Sequence, residues 1–299
     1  MIPGDFEFKQ PASKDEALSM LRDGGDDARP LLGGQSLIPM MKLRMASPDI
    51  LVDLRGLDDL RHISIGKSIH IGAAVTQHEL IGSEELFNVC PIIRETALVI
   101  ADPQIRYSGT IGGNVANGDP GNDMPALMQC LDATYILESS EGIREVKARD
   151  FYEAAYFTAL QTGEIVTGIR FPKPESGHGY SYQKLKRKVG DYATAAAAVV
   201  LSLSGDNVKS ASVALTNLAD TPLFVEKAED ILVGSQLTLN TIRATMDAAE
   251  AIMEPVSDGR GSREYRTKMG GIMVKRAIEQ AAMRADGTAK GGLFGWLKR

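Results

Sequence analysis

The sequence predicts an α+β protein built from two successive domains. The chain of 299 residues is long enough for more than one domain, and its 43% hydrophobic and 24% charged residues are typical of a folded protein. A stretch rich in proline and glycine at residues 172–179 separates two differently patterned parts. In the second part strands precede helices instead of alternating with them, which favours α+β over a parallel βαβ arrangement.

Capping signals mark the first elements of the chain. Residues 13–16, Ser-Lys-Asp-Glu, form a capping box that opens a short helix, and the glycine pair at 24–25 ends it. Short strands are predicted over residues 29–32 and 49–54.

A hairpin and two helices follow. Isoleucine at every second position predicts two paired strands with a turn at residues 66–67. The alternating residues are Ile63, Ile65, Ile69 and Ile71. A second capping box at residues 76–79 begins a helix, and Pro91 begins another that runs to about Ala101.

Residues 108–123 interrupt this pattern, because they contain five glycines, three asparagines and one proline. Such a composition predicts a long structured loop, and loops of this kind are often functional. Three strands are expected beyond it, over residues 133–138, 142–146 and 163–171.

The second part is predicted to hold three strands and then three helices. The strands cover residues 180–186, 193–203 and 208–216. The helices begin at Thr221-Pro222, at about Leu239 and at Ser262, and the last runs to about Ala285.

Composition and charge exclude several classes of protein. A formal net charge of −6 argues against a nucleic-acid-coating surface, and no apolar run is long enough to span a membrane. The two cysteines, Cys90 and Cys130, are too few for an iron–sulfur cluster and are expected in the core. The four histidines form no metal-like pair, so neither a metal site nor a catalytic side chain is expected. The N-terminus lacks the order of a signal peptide, which predicts a cytoplasmic location.

Two glycine segments carry the strongest functional signal: Gly33-Gly34-Gln35-Ser36 and Thr110-Ile111-Gly112-Gly113-Asn114. Paired glycines allow positive φ and close approach of a ligand, and successive N–H groups in such turns form anion-binding nests. Neither segment contains Lys or Arg, so a diphosphate there would be bound by backbone dipoles. From spacing alone, simple turns between strands are an equally good interpretation. Neither segment is a dinucleotide-binding or P-loop fingerprint.

Other polar residues are open to two interpretations. Asp119 and Asp123 lie in the second glycine-rich region and suit ribose hydroxyls, but turn capping explains them as well. The basic residues within 184–188 fit a solvated face. Tyr192, which precedes a run of small residues, fits either a ring system or the core.

Taken in order, these motifs resemble the FAD-binding medium subunit of the molybdenum hydroxylases, the family of xanthine dehydrogenase and aerobic carbon monoxide dehydrogenase. The matching segments are residues 32–39, 53–54, 71–76, 108–125, 186–193 and 265–266, and the likeness covers residues 1–285. It implies a two-part PCMH-type FAD-binding domain at 1–175, with subdomains at 1–55 and 56–175. A small α+β C-terminal domain would follow at 176–286, and a flexible tail at 287–299.

The resemblance also implies a set of residues that bind FAD. They are Leu32, Gly33, Gly34, Gln35, Ser36, Leu37, Thr110, Ile111, Gly112, Gly113 and Asn114 around the diphosphate, Asp123 at the ribose, and Tyr192 and Lys186 near the isoalloxazine. FAD would be bound without a covalent link, because no His or Cys lies between residues 28 and 45.

The implied partners are a small subunit with [2Fe-2S] clusters and a large molybdopterin-binding subunit, assembled as a dimer of heterotrimers. FAD would accept electrons from the clusters and pass them to an external acceptor. The substrate, whether carbon monoxide, purine, aldehyde or N-heterocycle, is left open. Two alternatives are a free-standing flavin oxidoreductase of the same fold and a scaffold subunit without a cofactor.

Overall fold

A computed structural model describes residues 2–285, and this part of the chain forms two compact units. The first unit takes in the chain up to residue 86 together with residues 101–119 and 132–172. The second takes in residues 87–100, 120–131 and 173–285. The predicted bounds at 175 and 286 stay a prediction, and the predicted tail lies outside the described residues.

The first unit opens with a small parallel sheet in the order β1-β3-β2. Its elements are β1 (Glu7–Lys9), α1 (Lys14–Gly24), β2 (Ala28–Leu31), α2 (Leu37–Lys42) and β3 (Ile50–Asp53). The predicted start and end of α1 are confirmed: the Ser13 side chain accepts from Glu16 N, and Gly25 follows with φ +53°. Leu18 and Leu21 of α1 pack in one core with Val52.

An antiparallel sheet of five strands completes the first unit, in the order β4-β5-β10-β6-β7. The strands are β4 (Ile63–Ile65), β5 (Ser68–Gly72), β6 (Thr134–Ser139), β7 (Gly142–Lys147) and β10 (Ile165–Pro172), and a separate hairpin joins β8 (Tyr152–Ala154) to β9 (Phe157–Thr158). The isoleucine hairpin is confirmed, because Ile63 pairs with Ile71 and Ile65 with Ile69.

Short helices lie between β5 and β6 in the chain. They are α3 (Gln77–Gly82), α4 (Glu84–Val89), α5 (Pro91–Val99), α6 (Pro103–Ser108), α7 (Ile111–Ala116) and α8 (Asp123–Cys130). The capping box that begins α3 is confirmed, since Thr76 and Glu79 bond each other's backbone N–H.

The expectation of one continuous loop over residues 108–123 is wrong, because α7 lies inside it and α8 begins at its end. Thr110 caps α7 by accepting from Gly113 N at 3.1 Å. A Cβ at Gly112 would lie 2.4 Å from Ala73 Cβ, so only glycine lets α7 pack this close to the neighbouring backbone. Tertiary contact thus overrides the low helix propensity of the glycine pair.

The second unit centres on a four-stranded antiparallel sheet in chain order. It holds β11 (Gly179–Leu185), β12 (Ala195–Ser204), β13 (Asn207–Thr216) and β14 (Leu223–Phe224), followed by α9 (Glu226–Leu232), α10 (Leu239–Glu250) and α11 (Arg263–Arg284). The predicted helix start at Thr221-Pro222 is wrong. Leu223 instead pairs with Leu215 as a fourth strand, and the helix begins at Glu226.

Helices cover both faces of this sheet, which explains the alanine run of β12. Ala195 and Ala197 lie in the core shared with α9 to α11. Ala198 points the other way, and its carbonyl lies 3.6 Å from the Sγ of Cys130 in α8. Because alternate residues of a strand face opposite sides, the whole run is buried. Within residues 2–285, no helix combines the length and the apolar composition needed to cross a lipid bilayer.

Candidate functional site

The first glycine segment joins β2 to α2 and leaves several donors available. Gly34 adopts φ +68°, a conformation that glycine accepts without strain. Within the described part of the chain, the backbone N–H groups of Gly34, Gln35 and Ser36 have no hydrogen-bond acceptor. Three successive free donors are what an anion-binding nest requires, and the predicted diphosphate contact at this segment stays a prediction.

The second glycine segment differs, because its N–H groups are already bonded within the protein. Ile111 N donates to Val75 O at 2.9 Å, and Gly112 N donates to Ala73 O at 3.0 Å. Gly113 N is bonded to the Thr110 hydroxyl. The nest predicted for this segment is therefore wrong, and what it offers instead is a fixed glycine surface and the Thr110 hydroxyl proton.

The structure brings the two segments together. A Cβ at Gly33 would lie 2.4 Å from Ser108 O and 2.7 Å from Gly109 Cα, so Gly33 lies directly against the backbone that leads into the second segment. An antiparallel bridge also joins Thr110, the first residue of the second segment, to Thr76, which caps α3. Any side chain at Gly33 would push the two segments apart.

A cavity of about 190 Å³ opens beside this contact. Its lining residues are Leu32, Gly33, Arg55, Arg61, Ala74, Thr76, Tyr107, Ser108 and Thr110. Two of them are arginines, and none of them is a carboxylate. Sequence reasoning missed both arginines because they are distant in sequence from the glycine segments, although residues 53–54 just before Arg55 were part of the family match.

Arg55 is held rigidly at the cavity by Asp53. Its Nε donates to Oδ1 at 2.7 Å and its Nη2 to Oδ2 at 2.8 Å, which is the bidentate geometry of a strong ion pair. Arg55 N also donates to Oδ1 at 3.1 Å. The hydrogen bonds from Arg55 hold the pKa of Asp53 below its usual range, and the same contact raises the pKa of Arg55. Arg61 pairs more loosely with Glu79, at 3.7 Å.

Gln77 adds an unsatisfied polar group next to the cavity residue Thr76. The residue is 2% exposed, and neither amide atom of its side chain has a partner within residues 2–285. Its backbone N–H donates to Gly109 O at 2.8 Å, beside the contact with Gly33. Buried amides without partners are uncommon in folded proteins. The unpaired donors and the two guanidinium groups therefore suit a polar, phosphate-bearing ligand.

In the second unit, Asp123 is buried at the first position of α8. Its Oδ1 accepts from the Tyr182 hydroxyl at 2.6 Å, and its Oδ2 accepts from Lys184 Nζ at 2.7 Å. Burial raises the pKa of Asp123, and the charges of Lys184 and Lys186 oppose that rise. The solvated-face interpretation is therefore wrong at Lys184, whose side chain is 3% exposed. Asp119, the other carboxylate predicted from the sequence as a candidate for ribose, lies in the first unit. Burial raises the pKa of Tyr156 there, and the neighbouring Asp119 raises it further.

Tyr192 lies on a loop held by ionic contacts. The side chain is 43% exposed, and Arg260 Cζ lies 5.6 Å from the ring centroid. The Asp191 carboxylate forms ion pairs with Arg187 at 3.2 Å and with Arg260 at 3.4 Å. The ring thus lies at the surface of the second unit, with Arg260 over it, and its predicted contact with the isoalloxazine stays a prediction.

Buried Arg266 anchors the base of this loop. The guanidinium donates to the carbonyls of Thr194 at 3.1 Å, Val256 at 2.6 Å and Asn217. Asn217 has φ +61°, and its Nδ2 donates to Ala193 O at 2.6 Å. Arg266 therefore links the chain at Thr194, Val256 and Asn217, directly after the loop that carries Tyr192.

The fold and this site define a class of flavoprotein. Residues 4–174 match the family model for the FAD binding domain in molybdopterin dehydrogenase. Residues 180–281 match the model for the CO dehydrogenase flavoprotein C-terminal domain. The chain belongs to this family, the FAD-binding subunits of molybdopterin dehydrogenases.

Individual relatives align over nearly their full length. The chain is 59% identical to the carbon monoxide dehydrogenase medium chain of Afipia carboxidovorans, over 95% of this chain and 99% of the relative. It is 35% identical to the glyceraldehyde dehydrogenase medium chain of Sulfolobus acidocaldarius, over 94% and 100%.

Solved structures agree with these relatives. A reconstituted CO dehydrogenase from Oligotropha carboxidovorans matches with a TM-score of 0.94 and 59% identity, over 95% of this chain and 100% of the other. Quinoline 2-oxidoreductase from Pseudomonas putida 86 matches with 0.89 and 34%, over 95% and 99%. The predicted fold class, the FAD cofactor and the role as flavoprotein subunit of an oxidoreductase complex are confirmed.

Proposed function

We propose that the chain binds FAD non-covalently and passes electrons from the iron–sulfur clusters of a partner subunit to an external acceptor. The observation that carries this is the nest of Gly34 to Ser36 beside a cavity with two arginines, inside the region matched by the FAD-binding family model. FAD, when bound, supplies the redox chemistry. The absence of His and Cys between residues 28 and 45 supports non-covalent binding.

The residues from Leu32 to Leu37 would hold the FAD diphosphate. The N–H groups of Gly34, Gln35 and Ser36 would donate to phosphate oxygens, and glycine at 33 and 34 allows the ligand to approach the backbone. The flanking Leu32 and Leu37 would contribute apolar contacts.

The residues from Thr110 to Asn114 would form the second wall of the diphosphate site. Their backbone donors are mostly used internally, so the Thr110 hydroxyl is the donor proposed here. Its oxygen accepts from Gly113 N and keeps its own proton to give. Gly113 exposes backbone without a side chain, while Ile111, the buried Gly112 and Asn114 are proposed on the resemblance.

Three residues of the second unit complete the proposed set. The exposed face of Tyr192 suits stacking on the isoalloxazine ring. Lys186 would place positive charge near the flavin. Asp123 would accept from ribose, although both its oxygens already accept hydrogen bonds from Tyr182 and Lys184.

We infer the partners from the same family. A small subunit with [2Fe-2S] clusters would deliver electrons, and a large subunit with molybdopterin would oxidise the substrate, in a cytoplasmic dimer of heterotrimers. Cys90 and Cys130 of this chain are both buried, which supports a relay held elsewhere. The matches at 4–174 and 180–281 support the proposed domain bounds at 175 and 286.

Carbon monoxide is the substrate we propose for the complex. The relatives at 59% and 45% identity are medium chains of carbon monoxide dehydrogenases. Relatives with other named substrates, such as the glyceraldehyde dehydrogenase medium chain, reach 35% or less.

Purification of the chain with its co-expressed partners tests this proposal. The chain is expected to carry FAD, released intact by denaturation, and the complex to reduce a dye with carbon monoxide but not with glyceraldehyde or nicotinate. A colourless chain that takes up no FAD would support the scaffold alternative instead. Dye reduction with another substrate would overturn the choice of carbon monoxide and leave the flavin role intact.

A further inference from the structure

We propose that Arg55, fixed in place by Asp53, binds a phosphate of the FAD and makes the first unit selective for a phosphorylated flavin. The inference rests on the proposed function, because it takes FAD as the ligand. Arg55 lies outside both glycine segments and lines the same cavity as Gly33 and Thr110.

The hydrogen bonds of Arg55 leave one edge of its guanidinium available. Asp53 occupies Nε and Nη2 through its two oxygens, at 2.7 and 2.8 Å. Within the described residues, Nη1 has no hydrogen-bond acceptor. The Arg55 side chain is 55% exposed, whereas that of Asp53 is 6% exposed. The carboxylate thus occupies the Nε–Nη2 edge, and the Nη1 donors are the part of this cavity-lining guanidinium that we propose for the phosphate.

Two guanidinium groups line the cavity, while the carboxylates that pair with them, Asp53 and Glu79, do not line it. Arg55 and Arg61 are the charged residues among its described lining residues. Gly33 lines the cavity with Arg55, and the free N–H donors of Gly34 to Ser36 follow Gly33 directly in the chain. Planar guanidinium groups bind phosphate oxygens through paired donors, and a neutral ring offers no such partner.

Asp53 acts here as a positioning residue. Three hydrogen bonds to Arg55, including the one from Arg55 N, restrict a side chain that would otherwise lose rotamer freedom on binding. Asp53→Asn keeps the size of the side chain but removes the charge and one acceptor. It should therefore weaken FAD binding less than loss of the guanidinium does.

The test measures the dissociation constants of FAD and of riboflavin for the full-length chain stripped of flavin, at several salt concentrations. Arg55→Gln should weaken FAD binding by about tenfold or more, the usual effect of losing a charged hydrogen bond. Its affinity should depend less on salt than that of the wild type, because one phosphate contact is gone. Riboflavin, which has no phosphate, should bind both proteins alike.

Arg144→Gln is the matched control. Arg144 makes the same bidentate pair with buried Glu164, at 2.7 and 2.6 Å, but does not line the cavity. The Arg144→Gln substitution removes an equivalent ion pair in the same unit and should leave FAD affinity unchanged. If Arg144→Gln loses as much FAD affinity as Arg55→Gln, then loss of any such ion pair weakens binding by destabilising the first unit. That result would overturn the inference.

The remaining outcomes separate this inference from the proposed function. If Arg55→Gln binds FAD within about twofold of the wild type with the same salt dependence, the phosphate contact is wrong while the FAD role stands. If the wild type binds no FAD, both are overturned. Where Arg55→Gln fails to melt cooperatively, Arg55→Lys decides. It keeps the charge, so weaker FAD binding with wild-type salt dependence supports the contact, and unchanged affinity overturns it.

Discussion

Asp123 and Lys184 form an ion pair inside the second unit, with Oδ2 and Nζ 2.7 Å apart and the side chains 5% and 3% exposed. Tyr182 completes the group by donating to Oδ1 at 2.6 Å. The pair links the start of α8 to β11, so a residue predicted as a ligand contact also holds two elements of this unit together. Removal of one partner would leave a buried charge without compensation.

Lys184→Met should therefore destabilise the chain by about 3–5 kcal/mol, the usual cost of leaving a buried carboxylate unpaired. Denaturant unfolding of the protein without flavin measures this directly. Combining Lys184→Met with Asp123→Leu should recover much of the loss, because the orphaned charge is then gone. A double variant as unstable as the sum of the single ones would contradict a coupled pair.

Asp123→Asn separates the structural role from the proposed ribose contact. If Asp123 accepts from ribose, the variant should weaken FAD binding by about 1–3 kcal/mol, in addition to its effect on unfolding. Titration of the flavin-free variant with FAD, under conditions where it is fully folded, gives the answer. An unchanged dissociation constant would leave Asp123 with the ion pair as its role.

The glycines of the second segment should differ sharply in their tolerance of alanine. A Cβ at Gly112 would lie 2.7 Å from Ala73 O and 2.8 Å from Ala73 Cα, so Gly112→Ala should strongly lower the free energy of unfolding. A Cβ at Gly113 would lie 3.1 Å from Thr110 Oγ1, a side-chain atom that can shift slightly, so Gly113→Ala should lower the free energy of unfolding much less. Thermal melts of the two variants, one residue apart, check this order. Equal melting temperatures would mean that α7 does not pack on the neighbouring backbone as described.

Much of this fold follows from local sequence signals. The Ser13 cap, the isoleucine hairpin and the strand β12 depend on neighbouring residues, and all three were predictable. Helix α7 was not, because Gly112 and Gly113 disfavour a helix and only contact with Ala73 stabilises it there. The fourth strand was missed because Thr221-Pro222 resembles a helix start, whereas pairing with β13 decides the outcome.

The candidate site was only partly predictable, for a related reason. Gly33 and Gly34 were identified from their backbone chemistry, which is local. Arg55 was missed because the fold, and not the local sequence, brings the residue that follows β3 by two positions to the cavity. Lys184 was misjudged for the same reason, since a run of basic residues gives no sign that one of them pairs with a buried carboxylate.

The Asp53–Arg55 pair predicts an acid-sensitive contribution to stability. Hydrogen bonds from Arg55 lower the pKa of Asp53 in the folded chain below its unfolded value. The pair therefore stabilises the fold at pH values above the unfolded pKa of about 3.9, and this contribution is lost as the pH falls through the lowered folded value. Flavin-free wild type should be more stable than Asp53→Asn at neutral pH, and the difference should shrink in acid below about pH 4. A difference independent of pH would contradict a charged pair.

The last prediction concerns electron entry. The isolated chain should bind FAD yet fail to oxidise carbon monoxide, purines or aldehydes. Two [2Fe-2S] clusters need eight ligands if all are cysteine, and the whole chain has two cysteines, Cys90 and Cys130. Both are buried, and no group of His, Cys, Asp and Glu in the described part of the chain could hold a metal ion. In the proposed function, electrons arrive from a partner subunit. The assay reloads the purified chain with FAD and measures dye reduction with each substrate class. Turnover that depends on substrate in the single chain would overturn the subunit role and support a free-standing oxidoreductase.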